Sequence, residues 1–259
     1  MRFSAILVFC ILLLAPAAAQ PVSPGRTLLF LDAQGALRMA NITEESARIP
    51  DAPLAPGKRV RRFAVSPDGT RALLEVSRPD GLAGVLLLEL ATRRQTSLGA
   101  GLTLPEPNGA NPFAGDGRRV ALCRQRGDEV AVYSTSTGRL LQVLSVPGLQ
   151  GAPVWFGDAY HLAVVSHPPE GGTRLAIFDV LTGAVSAEAL KEETPIALRY
   201  EGVGPGLVVF RETRDGLDGW LGVRADGAVE AVDEPVPAGV PADLPQGVEG
   251  EVSPGGEWV

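Results

Sequence analysis

The stretch RRFAVSPDGTRALLEVSR, residues 61–78, decides the fold. Two apolar runs flank the tetrapeptide Ser66-Pro67-Asp68-Gly69. Proline presets φ at the first corner of a turn, aspartate bonds the nearby backbone, and glycine takes a positive φ without steric cost. The segment therefore reads as strand, turn, strand. A second copy, Ser253-Pro254-Gly255-Gly256, lies within GEVSPGGEWV. Degenerate copies stand in the same setting at Ala114-Gly115-Asp116-Gly117 and Phe156-Gly157-Asp158-Ala159. Asp68, Asp116 and Asp158 accordingly read as turn residues rather than catalytic acids.

These units alternate with a second kind, an apolar strand followed by a polar turn and a further strand. Examples are GVLLLELATRRQTSL from position 84, EVAVYSTSTGRLLQVL from 129 and TRLAIFDVLTGAVSAEAL from 173. Including the copies from 35 and 219, the starts recur at intervals of 44 to 49 residues. Each pair of units supplies four short strands, a to d. A four-strand unit of about 45 residues repeated along a chain predicts a β-propeller. The first copy, TLLFLDAQGALRMANI, reads as strands b and c, with d after it and no strand a before it. Glu249–Ser253 reads as a lone strand a. The expected architecture is all-β, with five four-stranded blades. It is closed by pairing of the C-terminal strand with the N-terminal blade, which removes open sheet edges.

The SPDG turn, followed by an apolar strand and a VYSTSTG or IFDVLTG strand-turn, resembles the WD-like propeller repeat of TolB and of prolyl oligopeptidase-type peptidases. The resemblance covers nearly all of the chain beyond its first residues. It implies a propeller that binds through its loops. TolB carries an extra N-terminal domain and six blades, and this chain has room for neither. No G-x-S-x-G nucleophile elbow occurs in the sequence, so the peptidase activity is not implied.

Residues 1–19 read as a signal peptide: Arg2, an apolar run from Phe3 to Leu14, then Ala17-Ala18-Ala19 for cleavage. The apolar run is shorter than the roughly 20 residues of a membrane span, so no stable span is expected after cleavage. Residues 20–259 then form one domain exported to the periplasm or beyond. The formal charge of −7 disfavours nucleic acid, which calls for a basic footprint. Of two cysteines, only Cys123 lies outside the leader, and its apolar setting, RRVALCRQ, reads as a buried small hydrophobe.

The chain lacks H-E-x-x-H, a P-loop and a dinucleotide fingerprint. Its two histidines, His161 and His167, read as surface residues, and no metal or other cofactor is expected. Binding residues of a propeller gather on the face made by b–c hairpins and d–a connections. The starts of the a strands offer Arg61, Asn111, Trp155, Arg199 and Tyr200; the last b–c hairpin offers Arg211 and Arg214. Arginine and aromatic residues are frequent interface anchors. The Pro-rich stretch 234–247 reads as a spacer or a docking strap.

Three functions compete. The first is a non-catalytic, monomeric scaffold that binds a protein or peptide in the cell envelope. The second is a glycan-active hydrolase using two carboxylates among Asp116, Glu201 and Glu251. The third is a shortened propeller without a role of its own.

Overall fold

The computed structural model describes residues 26–42, 47–48, 55–78, 81–105, 110–204 and 206–233. The expected leader (1–19), Pro-rich connection (234–247) and closing strand Glu249–Ser253, with Glu251, lie outside them. The described residues form five antiparallel sheets and no helix.

Sheet 1 holds β1 (Arg26–Leu31), β2 (Leu37–Ile42) and β3 (Ala47–Arg48). These are the b, c and d strands read from the sequence. Sheet 2 runs in chain order through β4 (Val60–Val65), β5 (Arg71–Ser77), β6 (Ala83–Glu89) and β7 (Gln95–Ala100). Sheet 3 holds β8 (Leu102–Thr103), β9 (Arg119–Arg124), β10 (Glu129–Ser134) and β11 (Leu140–Ser145). Sheet 4 holds β12 (Leu149–Trp155), β13 (His161–Ser166), β14 (Thr173–Asp179) and β15 (Val185–Glu192). Sheet 5 holds β16 (Ala197–Gly204), β17 (Leu207–Arg214), β18 (Leu217–Arg224) and β19 (Val229–Ala231).

Sheet 3 departs from the expected pattern. Its inner edge is made of two pieces: Leu102 and Thr103 pair with Arg124 and Cys123, and Phe113 bridges to Val120. The chain leaves the sheet between them. The sequence alone starts this strand near Asn111, ahead of the turn at 114–117.

The second strand of each sheet explains the packing. Side chains alternate between faces with period two. In β5, Leu73 joins a core shared with sheet 3, while Ala72 and Leu74 face sheet 1. In β9, Val120 and Leu122 face sheet 2 and Ala121 faces sheet 4. In β13, Leu162 and Val164 face sheet 3, while Ala163 and Val165 face sheet 5. A strand covered on both faces needs a near-continuous apolar run, which VALC and LAVV supply and which ALLEV supplies except at Glu75. Among the described residues no core cluster joins sheet 5 to sheet 1.

Turns of neighbouring sheets meet at two opposite ends. At the a–b end, Gly117 approaches Asp68 and Gly115 approaches Gly157. There the c–d turns also bond the a–b turns: Leu90 to Thr70, Thr135 to Arg118 and Val180 to Tyr160 donate N–H to C=O. At the b–c end, Val60 N–H donates to the Gly35 carbonyl and Leu149 N–H to that of Gly127. The c–d turns carry positive-φ glycines that sit on the outer strand of the preceding sheet. Gly138 lies against Thr96, Gly183 against Gln142 and Gly227 against Ala187. A Cβ at any of them would fall within 3 Å of that neighbour.

Candidate functional site

The sequence RETRDGLDGW builds the b–c hairpin of sheet 5. Its strands continue to Arg214 and from Leu217. Asp215 (φ 52°) and Gly216 (φ 76°) make the two-residue turn. Positive φ at both positions gives the twist that joins two antiparallel strands directly, and Asp-Gly is suited to it.

Register then sorts the side chains. Arg214 lies opposite Leu217, Thr213 opposite Asp218, Glu212 opposite Gly219 and Arg211 opposite Trp220. Opposed residues share a face. One face therefore carries Glu212, Arg214, Leu217 and Gly219. The other carries Arg211, Thr213, Asp218 and Trp220.

Both arginines are held by carboxylates. The Arg214 guanidinium lies 2.7 Å from Glu212 Oε1 and 3.0 Å from Glu192 Oε1. Glu192 ends β15, so this pair ties sheet 5 to sheet 4. Bonds to Glu212 and then Glu192 push the arginine pKa further up. On the other face Arg211 bonds Asp218, and Thr213 Oγ1 donates to Asp218 Oδ1 at 2.6 Å. The Arg211 guanidinium, followed by the Thr213 hydroxyl, holds the Asp218 carboxyl below its usual range.

Leu217 stands at the end of this arm, 77% exposed. Beside it Gly219 leaves a gap: a Cβ there would meet no heavy atom within 4 Å. The result is a notch of about 290 Å³ lined by Glu212, Arg214, Asp215, Leu217, Asp218 and Gly219.

The structure brings four of the seven candidate residues into sheet 5. Arg199 pairs in register with Arg211; it is 69% exposed and lies 3.7 Å from Glu201. Tyr200 lies opposite Phe210, edge to face at 6.4 Å between ring centres, and burial raises its pKa. Arg61 is elsewhere, on β4, where its Nε donates to Ser77 Oγ at 2.8 Å. Asn111 and Trp155 lie near the a–b end rather than at strand starts. Asn111 Nδ2 donates to the Val65 carbonyl at 3.1 Å. The buried Trp155 Nε1 donates to the Pro112 carbonyl at 2.9 Å. Both link inner segments of adjacent sheets.

Of the carboxylates considered for glycan chemistry, the described Asp116 and Glu201 belong to different sheets. Asp116 serves its turn, accepting from the Arg118 N–H and lying 3.5 Å from Arg119. Glu201 sits on β16, two sheets away. His161 Nδ1 lies 2.5 Å from Asp158 Oδ2, and His167 Nε2 lies 3.3 Å from the Ile196 carbonyl. Among the described residues no three His, Cys, Asp or Glu side chains gather as a metal site. Cys123 is buried, and burial pushes its thiol up to about 11.

Sequence reasoning did not single out Glu75. It is only 4% exposed, and its Oε2 accepts from Arg62 Nη2 at 2.6 Å and from the Leu104 N–H at 2.9 Å. Arg62 also donates to the carbonyls of Leu104 and Pro105. The pair anchors the departing chain of sheet 3. A lone carboxylate inside the apolar run ALLEV is the signal that could have found it. Gly219 left no such signal, since its meaning depends on the register that sets it opposite Glu212.

No protein-family model matches this chain, and no curated protein matches it. Solved structures do. The WD40 domain of Toxoplasma gondii coronin superposes with a TM-score of 0.57 at 12% identity, over 82% of this chain and 56% of that one. An oligogalacturonate lyase in complex with manganese gives 0.52 at 18% identity, over 83% and 61%. TolB from Acinetobacter baumannii gives 0.49 at 17% identity, over 80% and 50%. The chain thus spans half to three-fifths of the length of these structures. At such identities the likeness extends to the architecture alone, which is that of a β-propeller.

Proposed function

We propose that this chain is an exported, non-catalytic and monomeric β-propeller that binds a protein or peptide in the cell envelope. The hairpin of sheet 5 carries the reading. An exposed leucine stands on a two-stranded arm whose arginines are fixed by ion pairs on both faces. An apolar anchor held in place loses little freedom on binding, which favours its use in recognition. Loops and turns set on rigid blades are where such folds carry function. The leader-like residues 1–19 support export.

A photo-cross-linking residue in place of Leu217, in cells of the host, tests this. A discrete covalent adduct with one protein is expected, from a chain cleaved near Ala19 and recovered with the envelope. The same substitution at Thr182, in a c–d turn at the other end of sheet 4, serves as the control. No adduct at position 217, or the same adducts at 182, would overturn the binding reading. An uncleaved chain in the cytoplasm would overturn the export reading.

A further inference from the structure

We infer that the notch beside Leu217 seats an aliphatic side chain adjacent to a lysine or arginine in an extended segment of the partner. This rests on the proposed binding function and names its chemistry.

The size of the notch limits the occupant. At about 290 Å³ it falls at or below the roughly 300–1,000 Å³ of small-molecule sites. It is open to solvent and suits one side chain presented from outside. Its apolar wall is Leu217, and the bare Gly219 exposes backbone where a side chain would otherwise stand. An aliphatic group placed there removes Leu217 from water, which supplies the non-directional part of the affinity.

Charge selects the neighbour. Four carboxylates, Glu192, Glu212, Asp215 and Asp218, stand against two guanidiniums, Arg211 and Arg214. Both guanidiniums already bond carboxylates. Asp215, at the tip of the turn, makes no ion pair among the described residues. A cation beside the aliphatic group meets this excess. An acidic segment is repelled by it, and such complementarity sets specificity and encounter rate more than raw affinity.

The test is selection of a random-peptide phage library on the intact chain, followed by affinity measurement on variants. Enriched peptides are expected to share an aliphatic residue next to lysine or arginine. Gly219→Phe, whose Cβ would meet no heavy atom within 4 Å, puts a ring into the notch and is expected to lower their affinity at least tenfold with the melting temperature retained. Leu217→Ser and Asp215→Lys are expected to weaken binding too, the latter with loss of its salt dependence. An acidic or uncharged consensus, equal binding to Gly219→Phe and Leu217→Ser, or no enrichment over a blank surface would overturn the inference. If position 217 still cross-links to a protein in cells while the peptides fail, only this inference falls. If cross-linking also fails, the binding function falls with it.

Discussion

The indole N–H of Trp155, at the end of β12, donates to the carbonyl oxygen of Pro112 at 2.9 Å. One bond thus joins the inner segments of sheets 3 and 4, inside the core that Trp155 shares with Ala121, Leu144 and Leu162. Asn111, next to Pro112, reaches the other way to Val65 in sheet 2. The segment around residue 112 is fastened on both sides.

Trp155→Phe keeps most of the ring and removes the donor. The Pro112 carbonyl keeps the Ala121 N–H as a donor, so the change removes one hydrogen bond rather than stranding the acceptor, at a cost of about 0.5–1.5 kcal/mol. A urea titration followed by far-UV circular dichroism is expected to show an earlier midpoint with an unchanged slope. An unchanged midpoint would mean that another donor replaces the indole.

Arg62→Ala strands a buried carboxylate. Removing one partner of a buried pair costs about 3–5 kcal/mol. The side chain of Arg62 is one-third exposed, so solvent screening brings the expected loss toward or below the lower figure. Glu75→Gln keeps an acceptor for the Leu104 N–H and is expected to cost less. In a double-mutant cycle by denaturant unfolding, the two losses should be non-additive. Additive losses would contradict a direct pairing.

Gly183 and Gly216 have similar φ, 74° and 76°, but different surroundings. A Cβ at Gly183 would lie 1.8 Å from Gln142 Nε2, whereas one at Gly216 would meet nothing within 4 Å. Both alanine variants carry the backbone penalty of about 1–2 kcal/mol for a left-handed residue. Gly183→Ala is expected to cost more. The excess should shrink in a Gln142→Ala background, because the obstacle is the end of a flexible side chain. Melting temperatures of the single and double variants check this.

Acid should destabilise the fold through its turn carboxylates. Asp68 is held below its ordinary pKa chiefly by the Ser66 hydroxyl, and Asp32 by the Ala36 N–H and then Arg38. A folded-state pKa below the unfolded value contributes stability that is present above the unfolded pKa, near about 3.9. That contribution is lost as pH falls through the lower folded value. Urea midpoints should stay level from neutral pH to about 4.5 and then fall. The fall should be shallower in Asp68→Asn. A midpoint that rises on acidification would contradict the assignment.

The SPDG turn was legible because its cause is local: Asp68 accepts from Ser66 Oγ and from the Thr70 N–H and hydroxyl, all within two residues. The spacing of such turns was enough for five sheets. The split edge of sheet 3 was not legible, since Leu102 and Thr103 are too few to show a period and pair only with residues about 20 positions away. At the site, residue type pointed to Arg211 and Arg214. It also pointed to Asn111 and Trp155, whose polar groups bond between sheets. Which arginines face outward depends on register, and composition does not encode register.

The glycines of the c–d turns give the fold a direction. Gly138, Gly183 and Gly227 each rest on a strand belonging to the sheet made just before their own. A chain emerging from the ribosome amino end first always presents that resting place ahead of the turn that needs it. Sheets 3, 4 and 5 can therefore be added in the order of synthesis, each templated by its predecessor. A circular permutant that begins at sheet 5 would reverse that order for one junction and should fold more slowly there, with the finished contacts unchanged.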